Sequence, residues 1–218
     1  MGSVTKKIII DDIILRVTEA RPTDDFTVPR EQIGYILDTV RDEVVAKEVH
    51  NNLRQGRIVN SIYIEKEASK LIVSENDGST GCAIRHYVTI DKDPVWVVDD
   101  MAIVLVQTSD GTRARRMNQK DIETSRFLSG SKPSPTNPVW HREGRNIYLD
   151  EFTDIQANEV TIHVHYVPTA GYITDETAVY PLDDSDRAVV TEIVVDEIIK
   201  ELGGTIDDII EDGDIDNN

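Results

Sequence analysis

The chain holds a single cysteine, Cys82. No disulfide can close within one copy, and an intracellular, reducing origin is expected. Positive charge is also short: 23 Lys and Arg stand against 41 Asp and Glu, a formal −18. That balance disfavours non-specific adhesion to nucleic acid or anionic membrane. It does not disfavour letting DNA pass. Long apolar runs are missing, so no transmembrane span is expected. The isoleucine run at 8–10 is broken by Asp11 and Asp12, too early for a signal-peptide core. Lys6 stands where a myristoylation signal has Ser or Thr. A soluble protein made inside the cell is expected. There is no Walker-type phosphate loop, no G-x-G-x-x-G and no G-x-S-x-G elbow. No cofactor is expected.

What the sequence does contain begins with its clearest element, residues 181–204. Asp183, Asp184 and Ser185 can cap a helix start, and Gly203 with Gly204 reads as its left-handed stop. Between them Val190, Val194 and Ile198 join a wider apolar set than one surface stripe needs. Only Thr191, Glu192, Asp196, Glu197, Lys200 and Glu201 form a polar strip. Such a helix is expected to be covered by its own domain and by a second surface. Beyond the glycines, Ile206, Ile209 and Ile210 recur at helical spacing within an acidic tail.

Two helices are expected at the other end. Residues 7–20 place Ile9, Ile10, Ile13, Ile14 and Val17 on one face. A second helix is expected over 29–55, with Gly56 as its stop. Its apolar face drifts midway, from Ile33, Leu37, Val40 and Val44 to Val45, Val49 and Leu53. The drift implies a bend or a change of packing partner.

From 57 to 168 short apolar or alternating runs take over, bounded by turn residues. Strands are expected at 58–64, 70–75, 82–90, 95–98, 102–108, 146–150 and 159–167. Turns are expected at Asn76-Asp77-Gly78 and at Asp110-Gly111, the latter closing a hairpin. A short helix is expected at 118–127 and a proline-rich loop at 129–138. The fold class is therefore α+β: N-terminal helices and a C-terminal helix form a helical part, with a mostly antiparallel β-domain inserted between them. The expected divisions are 1–56, 57–168, 169–204 and an acidic docking tail at 205–218.

Few residues offer chemistry. His163 and His165, two apart in a strand, share a face. With His141 or His86 they could hold zinc or another divalent metal, or they could be the outer face of a half-buried strand. Gly78-Ser79-Thr80-Gly81 reads as a hairpin turn and Cys82 as a small buried residue. The acidic pairs at 11–12, 24–25, 99–100, 183–184 and 207–208 mostly suit helix caps and dipoles. Arg113, Arg115, Arg116, Lys120 and Arg126 form a basic run. No aromatic lies between Gly111 and Ser125 to support nucleic-acid stacking, so ion pairing between subunits is favoured.

One resemblance is architectural. Residues 134–140 (SPTNPVW), 144–152 (GRNIYLDEF) and 159–171 (EVTIHVHYVPTAG) give a proline-containing loop, a short strand and a strand ending in Tyr166-Val167-Pro168. With the helix–helix, β-domain, helix order, this resembles head–tail connector (adaptor) proteins of tailed bacteriophages, especially short-tailed and crAss-like phages. The resemblance implies a structural virion protein and not an enzyme. It implies a homo-oligomeric ring of about twelve copies bound to the portal protein. The ring would extend the DNA channel, which genomic DNA crosses without specific binding, and offer a platform to the next tail protein. It implies assembly in the host cytoplasm and a place at the head–tail junction. Arg113, Arg115, Val194, Ile198, Ile206, Ile209 and Ile210 are the expected interface residues. Two other readings stay open: a small metal-dependent hydrolase using His163 and His165, and a monomeric module binding one protein partner.

Overall fold

A computed structural model describes residues 4–20, 28–74, 85–118, 121–122, 133–134, 136–150 and 160–211. The fold is mixed α+β. It divides into two compact units, Met1–Val45 with Ala170–Asn218, and Ala46–Thr169.

The first unit is helical. Helix α1 spans Lys6–Ala20, α2 spans Arg30–Arg54 and α3 spans Asp184–Glu211. One apolar core joins all three: Ile9, Ile10 and Ile13 from α1, Ile33 and Leu37 from α2, Val190, Val194 and Ile198 from α3. At about 25 cal/mol per Å², fully burying each such side chain contributes about 1.5–3 kcal/mol. The unit division falls inside α2, after Val45, where the apolar face of the sequence drifts. Gly56, at φ 67°, ends α2. There the Arg57 amide donates to the Asn52 carbonyl at 2.7 Å, the long-range bond of a Schellman stop. Asp183 caps α3, its carboxylate accepting from the Ser185 amide at 3.2 Å.

Polar groups are set into this core. Arg41 is fully buried. Its guanidinium lies 2.8 Å from the Asp42 carboxylate and donates to the Pro181 carbonyl at 3.3 Å. Asp42 in turn accepts the Ala170 amide at 2.9 Å. Burial holds the Asp42 carboxyl above its ordinary range, with Arg41 and the Ala170 amide opposing that rise. Beside it, Asp38 accepts from the Lys6 ammonium at 2.7 Å and from the Tyr180 hydroxyl at 2.8 Å. Burial, and then the Asp38 charge, push the Tyr180 hydroxyl well above its ordinary value.

The second unit is a small β-structure. Strands β1 (Glu65–Lys70), β8 (Thr161–Tyr166) and β4 (Ile103–Thr108) form an antiparallel sheet in the order β1-β8-β4. Strands β2 (Ile72–Ser74), β3 (Arg85–Thr89), β7 (Asn146–Asp150), β6 (Val139–Glu143) and β5 (Arg115–Arg116) form the other, in the order β2-β3-β7-β6-β5. All neighbours are antiparallel except β5 and β6. The sheets are linked at both ends. Only Leu71 separates β1 from β2. On the far side, the Ala114 amide donates to the Val106 carbonyl at 2.9 Å, and the Thr108 amide donates likewise to the Thr112 carbonyl. Backbone pairing therefore runs around a closed circuit, which leaves few open edges. Inside it lie Val88, Trp140, Ile147 and Leu149 from one sheet, with Val106, Ile162, Val164 and Tyr166 from the other.

Several expectations need correction. Gly203 and Gly204 do not stop α3, which continues to Glu211. Glycine permits a left-handed stop but does not compel one, and helical glycine costs only about 1 kcal/mol relative to alanine. Residues 58–64 form no strand; Ser61–Tyr63 is a 3-10 turn, capped by the Asn60 side chain on the Ile62 amide. Residues 95–97 form no strand ladder, and the Val95 amide ties them to the Val167 carbonyl at 2.9 Å. Thr191, expected on a polar strip, is buried. The turns at 76–78 and 78–81 and Cys82 lie outside the described residues, as does most of the expected helix at 118–127. Its Asp121 and Ile122 are helical, both amides donating to the Asn118 carbonyl.

Removing one partner of a buried ion pair leaves the other charge uncompensated. Arg41→Ala is expected to lower the stability of the helical unit by about 3–5 kcal/mol. Urea unfolding followed by far-ultraviolet circular dichroism checks this; a loss below about 1 kcal/mol would assign the network no structural weight.

Candidate interaction site

The expected interface residues separate into three groups. Arg113 and Arg115 are exposed. They lie on the segment that follows the β4 hairpin turn, where Gly111 at φ 89° supplies the left-handed position. Asp110 rigidifies that turn, accepting from the Thr112 amide at 2.9 Å and from the Thr108 hydroxyl. Those bonds hold the Asp110 carboxyl below its ordinary range. Arg113 pairs opposite Gln107, and Ala114 between the arginines packs on the core of the β-unit. The alternation therefore turns both arginines outward.

Val194 and Ile198 are not at a surface. Both are fully buried in the helical core, because α1 and α2 already cover the apolar face of α3. Ile193, Val195, Ile199 and Leu202 are partly buried against the same core, while Val189 remains about half exposed at 48 %. The wide apolar face is thus largely satisfied within its own unit. Ile206, Ile209 and Ile210 lie in the helical backbone of α3, and their side chains fall outside the described residues.

His163 and His165 are half-buried on the outward face of β8. Across β1 they face Ala68 and Lys66, and across β4 they face Gln107 and Leu105. Burial, then the charges of Lys66 and His163, hold the His165 imidazole below its ordinary 6.5. His86 and His141 are both buried on the other sheet, His141 stacked on Tyr148 with centroids 5.2 Å apart. The topology separates these histidines from the β8 pair. Among the described residues, no group of three or more His, Cys, Asp or Glu is arranged to hold a metal ion.

Two shallow clefts lie in the β-unit. One, of about 320 Å³, has Leu53, Met101, Leu105 and Trp140 among its walls, with Arg113 and Arg116 at its rim. The other, of about 230 Å³, is formed by residues 95–99 and Arg142. Asp99 borders both, held at φ 60° in the left-handed region, at a cost on the order of 1–2 kcal/mol. Its carboxylate lies 3.9 Å from Arg116. Trp96, on the second cleft, is 80 % exposed. Sequence patterning marks Asp99 only as half of an acidic pair and does not single out Trp96: an apolar run at 95–98 reads as strand, and only backbone geometry turns Trp96 out. No protein-family model matches the chain, and no curated protein sequence does. No helix among the described residues is long and apolar enough to cross a membrane.

Lys66 raises the cost of charging His165, so Lys66→Ala is expected to move the His165 titration midpoint upward, toward 6.5. A proton NMR titration of the imidazole reads this directly. An unchanged midpoint would leave burial and the neighbouring His163 as the causes.

Proposed function

We propose that the protein is a structural subunit of a bacteriophage head–tail connector, a homo-oligomeric ring of about twelve copies seated on the portal. The ring extends the DNA channel and carries the next tail protein, at the head–tail junction of the virion. The observation that carries this reading is the discontinuous helical unit. Helices from both ends of the chain share one core, with the β-unit inserted between Val45 and Ala170. This is the layout on which the resemblance to connector proteins rests.

Surface character supports it. A head-to-tail ring needs two different complementary faces on one subunit. The helical unit exposes Ile8 and Leu15, which are seven residues apart on α1, and Tyr35 on α2. The β-unit exposes Trp96 and the arginine hairpin. The formal charge of −18 suits a channel wall that DNA phosphates slide past without adhering.

Mixing the protein with a purified dodecameric portal is the test. The expected product is a complex carrying a ring of added subunits, seen by sedimentation and electron microscopy. A subunit that stays monomeric beside intact portal would oppose the proposal.

A further inference from the structure

Carboxylates are abundant in this chain, yet among the described residues none occupies an outward strand position on one sheet. On the outward side of β1-β8-β4 and the hairpin strand, the positions are set by register. Lys66 pairs with His165, Ala68 with His163 and Lys70 with Thr161. Leu105 and Gln107 continue the first two rows, and Arg113 extends the second. Arg115 follows two residues on, on the same side. Lys66, Lys70, Arg113 and Arg115 are exposed. Among the described residues, none of them meets a carboxylate in an ion pair. The two carboxylates of β1 are committed elsewhere. Glu65 binds the Lys92 ammonium, and Glu67 accepts from the Tyr166 hydroxyl and the Asp91 amide.

A concentrated positive face on a protein of charge −18 selects an acidic partner. Among its described residues the face offers no exposed aromatic for base stacking, which argues for a protein partner over a single-stranded nucleic acid. The chain itself supplies a complementary segment. After Lys200 there is no further Lys or Arg, while Asp207, Asp208, Glu211, Asp212, Asp214 and Asp216 follow. We infer that the outward β1-β8-β4 face receives the acidic C-terminal segment of a second copy of the chain. The contact joins two different surfaces, so it propagates head to tail, and in that respect the inference rests on the ring reading above. Lys66, Lys70, Arg113 and Arg115 supply the fixed charge. His163 and His165, between them, add charge only when protonated.

Two full-length variants test it by complementation. The first neutralises the face (Lys66→Gln, Lys70→Gln, Arg113→Gln, Arg115→Gln). The second neutralises the segment (Asp207→Asn, Asp208→Asn, Glu211→Gln, Asp212→Asn, Asp214→Asn, Asp216→Asn) and leaves the sheet untouched. Native mass spectrometry at low ionic strength reads assembly, and circular dichroism confirms folding. The wild type is expected to self-associate and each variant alone to lose that association. An equimolar mixture regains one intact contact and is expected to stop at a heterodimer. Variants that assemble like the wild type would overturn this contact while leaving the ring standing. Variants that lose association yet form no heterodimer would overturn the second copy as the occupant. A wild type that stays monomeric both alone and with the portal would remove the ring and this contact together. Should the face variant fail to fold, the segment variant decides alone: lost association supports the contact, and association like that of the wild type overturns it.

Discussion

A guanidinium that solvent cannot reach must find its partners inside the protein, and Arg41 finds them along the segment that returns to the helical unit ahead of α3. It bonds the Pro181 carbonyl just ahead of α3 and pairs with Asp42, which holds the Ala170 amide. Lys6, Asp38 and Tyr180 form a parallel tie between α1, α2 and the same returning segment. Apolar packing alone would tolerate a sliding or rotated α3. Charged groups in a low-dielectric core hold one arrangement, because any other leaves them unpaired. A helical unit built from both chain ends can therefore keep its form while the intervening β-unit varies.

The helices are legible in the sequence because they bury conventional apolar stripes. Ile9, Ile10, Ile13 and Val17 sit at helical spacing and are all buried. The hairpin is legible from Asp110-Gly111, since few residues tolerate a left-handed backbone. Strand β1 is not. Its sequence EKEASK offers no apolar alternation, because the inward side meets Lys92 and Tyr166 through carboxylates instead of packing aliphatic groups. The run at 95–98 misleads for the converse reason: its apolar residues line a loop, with Trp96 outward. The fate of α3 shows the same limit. Periodicity identifies Val194 and Ile198 as apolar-face residues, but cannot say that the chain's own helices cover them completely.

The candidate site is legible only in part. Arg113 and Arg115 follow from the hairpin, and His163 with His165 from strand alternation. Their union on one face, whose outward strand positions among the described residues hold no carboxylate, does not, because it depends on β8 lying between β1 and β4. That order brings distant segments of the chain, around Lys66 and around His165, into one surface. A charge pattern of this kind is a property of topology and has no local signature.

Everything proposed for this protein depends on its working as one of many identical copies. Native mass spectrometry with negative-stain imaging, applied to the protein released gently from its source, tests that most directly. The expected result is a closed ring of many copies, alone or attached to a larger portal ring. A lone subunit carrying stoichiometric metal would contradict it and return attention to His163 and His165.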